Sequence, residues 1–482
     1  MPKKKLGPMD IYPLLPKTNC GRCPQKVCMG FAVQLAERNV SLEECPPLFE
    51  DPKYKENLAK LQELLAPPIR EVVIGTPKRR VKIGGELVLR RHELRYLNPT
   101  AFAIVVDDEM AEDELVKKVK ETENFKYTYI GMDLKLDMVA VRSKSNDPSK
   151  FEKAVKKVAE TTDMPLVLWS FDPSTMEKGL EVVKDRKPLL YAATKDNWQD
   201  MGELSLKYKC PLTVYSPNDL NMLKSIVTAL KTWGIEDLTI DVGCDFSEGI
   251  RDTINNLTML RIAGIEGTDE VLGLPIVGTP VTLWDKEHEV KNPEIVRWKE
   301  ACLAAMMIVR YVDLLMLSST TMWSILPLVI IRNNIYNDPR KPVSVEPGLR
   351  VLGNPDPENS PVLITTNFAL TYYTVLSDFE KIPNGCYLLV VDTEGISVES
   401  SVAGRKFTAD KVAEVIQSSK IEEKIKHRTM IIPGLAARLK GDIEDATKWD
   451  VLVGPRDSTG IIAFLKENWE GKDHTPGWSY RT

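Results

Sequence analysis

Phe102-Ala-Ile-Val-Val-Asp107, Glu112-Asp-Glu-Leu-Val-Lys-Lys-Val-Lys-Glu-Thr122 and Met138-Val-Ala-Val-Arg-Ser143 follow one another as an apolar run, a charged helix-patterned run and a second apolar run. Short, unbroken apolar runs suit strands buried on both faces, and a helix between two of them makes a parallel crossover. The beat continues through Leu166–Ser170, Leu189–Ala193, Leu212–Ser216, Leu238–Gly243, Ile276–Thr282 and Leu314–Ser319, with helical patterns such as Lys150–Thr161 and Asp219–Thr232 between them. Eight such strands, each with room for a helix after it, predict a (β/α)8 barrel of the TIM type. A doubly wound open sheet is the competing arrangement of the same beat.

Working outward, Ala66-Pro67-Pro68 reads as a boundary. After it, Glu71-Val-Val-Ile-Gly75 and Val81-Lys-Ile-Gly-Gly-Glu-Leu-Val-Leu89, with a Gly84-Gly85 turn, predict a β-hairpin. On the other side, the turn-rich Asn337-Asp-Pro-Arg-Lys-Pro342 precedes four more apolar strands: Val362–Thr365, Tyr387–Val391, Thr429–Ile432 and Val451–Val453. Small or polar residues follow each at once: Thr366-Asn-Phe, Asp392-Thr-Glu-Gly-Ile-Ser, Pro433-Gly-Leu-Ala and Gly454-Pro-Arg-Asp-Ser. Ligands of open parallel α/β sheets sit outside the carboxyl ends of the strands, so these four loops predict a site there. Tight strand-to-helix turns are the other reason for glycine at such places. The expected domains are 1–66, 67–336 (barrel with preceding hairpin) and 337–482, the last an open parallel α/β domain.

The first piece carries Cys20, Cys23, Cys28 and Cys45, a C-x2-C-x4-C-x16-C set holding half of the eight cysteines. Four thiolates this close are a ligand set. Three from a tight loop and a fourth from further along suit a [4Fe–4S] cluster. Structural zinc is the rival, although it usually takes two separated C-x2-C pairs. Gly21 permits a sharp turn between the first pair. Cys210, Cys244, Cys302 and Cys386 are scattered, as expected of reduced core thiols in a cytoplasmic protein.

A length of 482 residues suits about three domains, and 43% hydrophobic with 28% charged residues is ordinary for globular chains. A net charge of −5 argues against nucleic acid as a partner. No apolar segment follows Lys3-Lys4-Lys5, so secretion is not expected. Leu314–Ile331 is uncharged, but its serines, threonines and Pro327 favour a buried strand followed by a buried helix over a membrane span.

Four stretches together are specific: the cysteine set, Thr365-Thr-Asn-Phe-Ala-Leu-Thr-Tyr-Tyr373, Asp392-Thr-Glu-Gly-Ile-Ser-Val398 and Val453-Gly-Pro-Arg456. In them the chain resembles the large subunit of the corrinoid iron–sulfur protein, whose archaeal form is the gamma subunit of the acetyl-CoA decarbonylase/synthase complex. The resemblance covers essentially the whole chain, and the family's order of cluster domain, barrel and corrinoid domain matches the three pieces. It implies a methyl carrier, a methyltransferase component. Co(I) of a bound cobamide takes a methyl group from methyltetrahydrosarcinapterin or methyltetrahydromethanopterin and passes it, reversibly, to the nickel site of acetyl-CoA synthase. The [4Fe–4S] cluster returns oxidised cobalt to Co(I). Implied partners are a small (delta) subunit in a heterodimer, the acetyl-CoA synthase subunit and the CO dehydrogenase complex.

The residues agree with that chemistry. Many cobalamin proteins carry Asp-x-His-x-x-Gly, whose histidine ligates cobalt; His92, His288, His427 and His474 all lie outside such a motif. Without a lower ligand, square-planar Co(I) is favoured and comes within reach of iron–sulfur donors, whose potentials extend to about −700 mV. For the corrin, whose rim amides seek neutral partners, the candidates are Thr366, Asn367, Thr371, Thr393, Glu394, Gly395, Ser397, Gly434, Ala436, Gly454 and Pro455. Thr371 and Thr374 can also be helix surface, and Tyr372 and Tyr373 core. Asp107, Ser170, Ser216, Asp241 and Asp245 fall at barrel strand ends, where caps and turns account for them, and no catalytic side chain is assigned. The competing functions are an iron–sulfur oxidoreductase with its own barrel active site and an electron-transfer subunit without corrinoid.

Overall fold

The computed structural model describes residues 6–246, 249–286 and 292–469. The chain gathers into two compact units, Met1–Tyr127 with Leu134–Asp338 and Thr128–Asp133 with Pro339–Thr482.

In the first unit, helices Cys28–Ala36 and Lys55–Leu64 pack Phe31, Leu35 and Leu61 with Ile11 and Leu48 into a small core of their own. A hairpin follows, β1 (Glu71–Thr76) with β2 (Arg79–Gly84). β3 (Ala101–Asp107) opens the large sheet. A short hairpin later in the chain, β4 (Tyr127–Tyr129) with β5 (Met132–Leu134), is a separate two-stranded sheet whose Thr128–Asp133 falls in the second unit, and it has no counterpart among the apolar runs. The sheet continues with β6 (Met138–Arg142), β7 (Leu166–Trp169), β8 (Leu189–Ala193), β9 (Leu212–Tyr215), β10 (Leu238–Asp241), β11 (Val277–Gly278) and β12 (Leu314–Leu317). Its order is β10-β9-β8-β7-β6-β3-β12-β11, with parallel neighbours throughout.

Closure decides between barrel and open sheet. Ile240 of β10 bridges in parallel to Ile276, just before β11, and its N–H donates to the Pro275 carbonyl at 2.9 Å. The sheet therefore joins its own far edge, as the eight-strand reading required. β11 is shorter than its apolar run because Pro280, which has no N–H, starts a 3₁₀ turn over Pro280–Thr282.

Alternate residues fill the interior: Ala101, Ala103 and Val105, then Met138, Ala140, Val167, Trp169, Leu189, Tyr191, Leu314 and Met316. Val72, Ile74 and Ile83 of the β1–β2 hairpin belong to the same buried cluster, so the hairpin plugs the end at which the strands begin. It is fastened by Gly75 N–H to the Lys187 carbonyl (3.0 Å) and Arg70 N–H to the Gly273 carbonyl (2.9 Å). Asp147, Asp172 and Asn292 cap outer helices, each with proline next to enter the first turn. The uncharged Leu314–Ile331 run resolves into β12, a short loop and most of helix Met322–Tyr336. Among the described residues no helix is long and apolar enough to cross a membrane.

The second unit holds β13 (Gly348–Leu352), β14 (Val362–Thr366), β15 (Cys386–Val391), β16 (Thr429–Ile432) and β17 (Asp450–Val453), ordered β13-β15-β14-β16-β17. The last four are parallel. β13 corrects the wholly parallel expectation: it is an antiparallel edge strand on β15. Its residues are half-buried or exposed and include Arg350, so it lacks the apolar run that marks the other four.

Near the plugged end, Arg261 and Asp313 are both buried. Arg261 Nη2 donates to Asp313 Oδ2 at 2.7 Å, and the same oxygen accepts the Ile276 N–H at 2.7 Å, tying the entry of β11 to that of β12. Burial pushes the neighbouring Glu86 carboxyl up to about 8. Asp313→Ala strands a buried guanidinium and is expected to cost about 3–5 kcal/mol, read as a lower urea midpoint.

Candidate functional site

From β14 the chain passes to β15 on one side and then to β16 on the other. Strand order thus reverses between β14 and β16, and the outgoing connections part there. Pairing across the junction is confined to Leu363 and Ile431. Beyond it lies a cavity of about 370 Å³, to which the segments following all four parallel strands contribute. Its walls are mainly apolar, with Leu363, Leu370, Val398, Ile431 and Leu435, and its rim carries Arg456, Asp457 and Ser458.

Of the residues expected from sequence, Thr371, Ser397, Gly454 and Pro455 line this cavity. Ser397 precedes helix Val398–Ala403 without capping it, so its hydroxyl is not spent on the helix. Asn367 instead organises the neighbouring loop. Its Oδ1 accepts from Thr393 N–H (2.9 Å), the Thr393 hydroxyl (3.0 Å) and Gly395 N–H (3.0 Å), while Nδ2 donates to Asp392 at 3.1 Å. Glu394 pairs with Lys406 at 2.5 Å. Thr366 is fully buried outside the cavity lining, its hydroxyl without a protein partner. A Cβ on Gly434 would lie 2.7 Å from the Gly454 carbonyl and 2.8 Å from the Arg456 nitrogen, so glycine there lets two loops touch. Ala436 packs in the core.

Sequence reading missed Thr365. It lines the cavity, and its buried Oγ1 has no partner in the protein. Its place as the first polar residue after the aliphatic Val362-Leu-Ile364 was the available signal. Ser458, also missed, donates to Asp378 at 2.6 Å. Among the described residues no histidine lines the cavity. His427 is buried just before β16, its Nε2 3.0 Å from the Ser360 carbonyl oxygen, and His92 precedes β3. His288 and His474 lie outside the described residues.

In the first unit Cys20, Cys23, Cys28 and Cys45 line one recess together with Asn19 and Phe31. Gly21 takes φ +66°, the turn its position required. Cys28 opens helix Cys28–Ala36 and donates its N–H to Asn19 Oδ1 at 2.8 Å, while Cys45 immediately precedes helix Pro46–Glu50. Burial pushes the Cys45 thiol up to about 11, whereas backbone and Thr18 hydrogen bonds lower that of exposed Cys20. A bound metal overrides such reluctance, because a coordinating thiol is deprotonated outright. Among the described residues no three His, Cys, Asp or Glu side chains are gathered as a single-ion site.

The barrel strand-end residues are committed elsewhere. Arg142 grips Asp107 through Nε (2.6 Å) and Nη2 (3.0 Å). Asp241 accepts from Tyr191, Gly243 and Thr279, and burial pushes it up to about 6. Ser170 and Ser216 bond within their own turns, and Asp245 N–H donates to Thr253.

Two family models match the chain: "CO dehydrogenase/acetyl-CoA synthase delta subunit" over residues 71–465 and "Putative Fe-S cluster" over 15–47. The acetyl-CoA decarbonylase/synthase complex subunit gamma 2 of Methanosarcina thermophila is 45% identical over 469 residues, 97% of this chain and 99% of that one. The gamma subunit of Archaeoglobus fulgidus is 44% identical, covering 98% of this chain and 100% of its own. The chain belongs to the gamma-subunit family of the acetyl-CoA decarbonylase/synthase complex. Full-length agreement with gamma subunits includes the cluster segment, which the delta match leaves out. Among solved structures, dihydropteroate synthase of Thermus thermophilus is 14% identical over 55% of this chain and all of its own, with a TM-score of 0.37, too low to bear on function.

As a gamma-family subunit, the chain carries an iron–sulfur domain and has the other subunits of the complex as partners. Asn367 is the buried hub of its loop's contacts. Asn367→Ala orphans buried donors at about 1–3 kcal/mol each, so amide exchange at Thr393 and Gly395 is expected to accelerate by at least tenfold.

Proposed function

We propose that this gamma-family chain is a corrinoid iron–sulfur methyl carrier, acting as a methyltransferase component of its complex. The observation that carries the reading is the crevice at the β14/β16 reversal, roomy, largely apolar and edged by uncommitted hydroxyls. A cobamide has a flat apolar macrocycle fringed with amides, and this surface offers it neutral partners. When bound, its cobalt supplies the nucleophile that accepts a methyl group from methyltetrahydrosarcinapterin or methyltetrahydromethanopterin and yields it to the nickel site of acetyl-CoA synthase.

The chain's residues do the holding. Thr365, Thr371 and Ser397 present hydroxyls to the guest, and Gly454 and Pro455 bring backbone close on the other wall. Asn367 fixes the Asp392–Ser397 loop, so Ser397 is placed before anything binds. Among the described lining residues the polar groups nearest these walls are hydroxyls and backbone rather than imidazole, and these are what the chain would offer a corrinoid. Cys20, Cys23, Cys28 and Cys45 would hold the [4Fe–4S] cluster that returns oxidised cobalt to its active state. The proposed partners are the small (delta) subunit, the acetyl-CoA synthase subunit and CO dehydrogenase, with the domain split 1–66, 67–336 and 337–482 and a cytoplasmic setting.

Anaerobically purified protein is expected to contain about four irons and one cobalt per chain, with corrin bands in the visible spectrum. Zinc without cobalt, or flavin with iron alone, refutes the reading. In Cys28→Ala, methyl transfer started from chemically reduced protein is expected to persist while reductive reactivation falls at least 100-fold. Equal loss of both activities overturns the division of labour.

A further inference from the structure

Where the barrel's strands finish, the ends of β3 and β6 and the segments after β11 and β12 enclose an open cavity of about 470 Å³. That end of a (β/α)8 barrel is where its ligands sit, and the loops after the last two strands often hold phosphate groups. The volume is ordinary for a small-molecule site. Much of the charge around it is already matched. Buried Arg142 spans Asp107 and Asp285, taking the latter through Nη1 at 2.6 Å. Glu300 accepts from the Ser318 N–H (2.6 Å), the Ser318 hydroxyl (2.5 Å) and Trp284 Nε1 (2.9 Å), and burial raises it toward the neutral form. Lys117 faces Glu121 at 4.0 Å, and Arg297 pairs with Glu294 beside the Trp284 ring.

Two lining ammonium groups are left over. The side chains of Lys118 and Lys144 make no hydrogen bond or ion pair among the described residues. Lys118 reaches in from helix Glu112–Asn124 and is half-buried. Desolvation holds it below the usual lysine range even though Asp107, Glu300 and Glu114 are near. An ammonium withdrawn from water without a partner is costly. The loop after β12 adds spare donors. The Thr320 hydroxyl bonds to nothing among the described residues, and Thr321 starts helix Met322–Tyr336 without capping its first turn. We propose that this mouth is a second ligand site, for a small organic molecule bearing one phosphate or carboxylate, whose anionic oxygen takes Lys118 Nζ as its partner with Thr320 and the first turn of Met322–Tyr336 alongside. Exposed Glu114 and Glu121 also line the cavity and disfavour a polyanion such as a nucleoside triphosphate. Nothing in this inference depends on the methyl-carrier reading, whose cavity belongs to the other unit.

The test treats the full, anaerobically prepared protein with pyridoxal 5′-phosphate, a phosphate-bearing aldehyde that forms an imine with an unprotonated lysine amine. Borohydride fixes the imine, and peptide mass spectrometry locates it. Lys118 is expected to label at least tenfold faster than exposed Lys184 on the turn Lys184–Arg186. Inorganic phosphate and glutarate then compete. Protection by phosphate alone assigns the site to phosphates, by glutarate alone to carboxylates, and by both to either oxyanion. Calorimetry with the protecting anion is expected to show affinity at least tenfold lower in Lys118→Met and unchanged in Lys184→Met, with iron content and melting temperature as in the wild type. The labelling needs no variant to fold. Lys118 reacting no faster than Lys184, protection by neither anion, undiminished binding in Lys118→Met, or equal loss in Lys184→Met each overturns the proposal.

Discussion

Two parallel strands whose outgoing chains must leave on opposite sides cannot stay covered at their ends. That constraint, set by the β15-β14-β16 order, creates the cavity on which the second unit turns. No loop has to fold back to enclose a guest. The sheet itself opens, and helix Ala369–Phe379 with the segment after β16 provides side walls. Polar atoms such as Thr365 Oγ1 end up inside an apolar recess without protein partners. A buried hydroxyl left unsatisfied is costly, so a guest or a water in the recess would find a partner in Thr365.

The cysteine recess obeys a related logic. Sulfur buried away from water resists ionisation, as Cys45 does, until a positive centre arrives. Cys28 and Cys45 both sit at the starts of helices, which fixes where their backbone enters the recess. The four-residue ligand set is therefore a local construction. Its loop, two helix starts and small core come from the first 65 or so residues, whereas the cavity of the other unit needs four strands gathered from across Val362–Val453.

That difference governs how much could be read from sequence. The eight barrel strands were legible because each is buried on both faces, so its composition announces it; their closure was not, because it rests on the Ile240–Ile276 bridge between positions of ordinary type. β13 escaped notice for the opposite reason, being a half-exposed edge strand with a charged residue. In the candidate site, the loops were legible as strand followers, yet the roles within them were not. Asn367 and Gly434 resemble ligand contacts in sequence, and only geometry shows the first spent on backbone amides and the second on a backbone crossing. Thr365 was hidden by its place in a strand.

The seam has a mechanical side. Asn367 stitches the loops of β14 and β15 into one stiff jaw, and the Gly434–Pro455 hydrogen bond stitches those of β16 and β17 into another. Side-chain clasps, Ser458 to Asp378 and Arg438 to the Val402 carbonyl, span the gap where the strand ladder has dwindled to Leu363 and Ile431. Few bonds therefore cross the gap, while the ladders on either side of it, β14 with β15 and β16 with β17, are continuous.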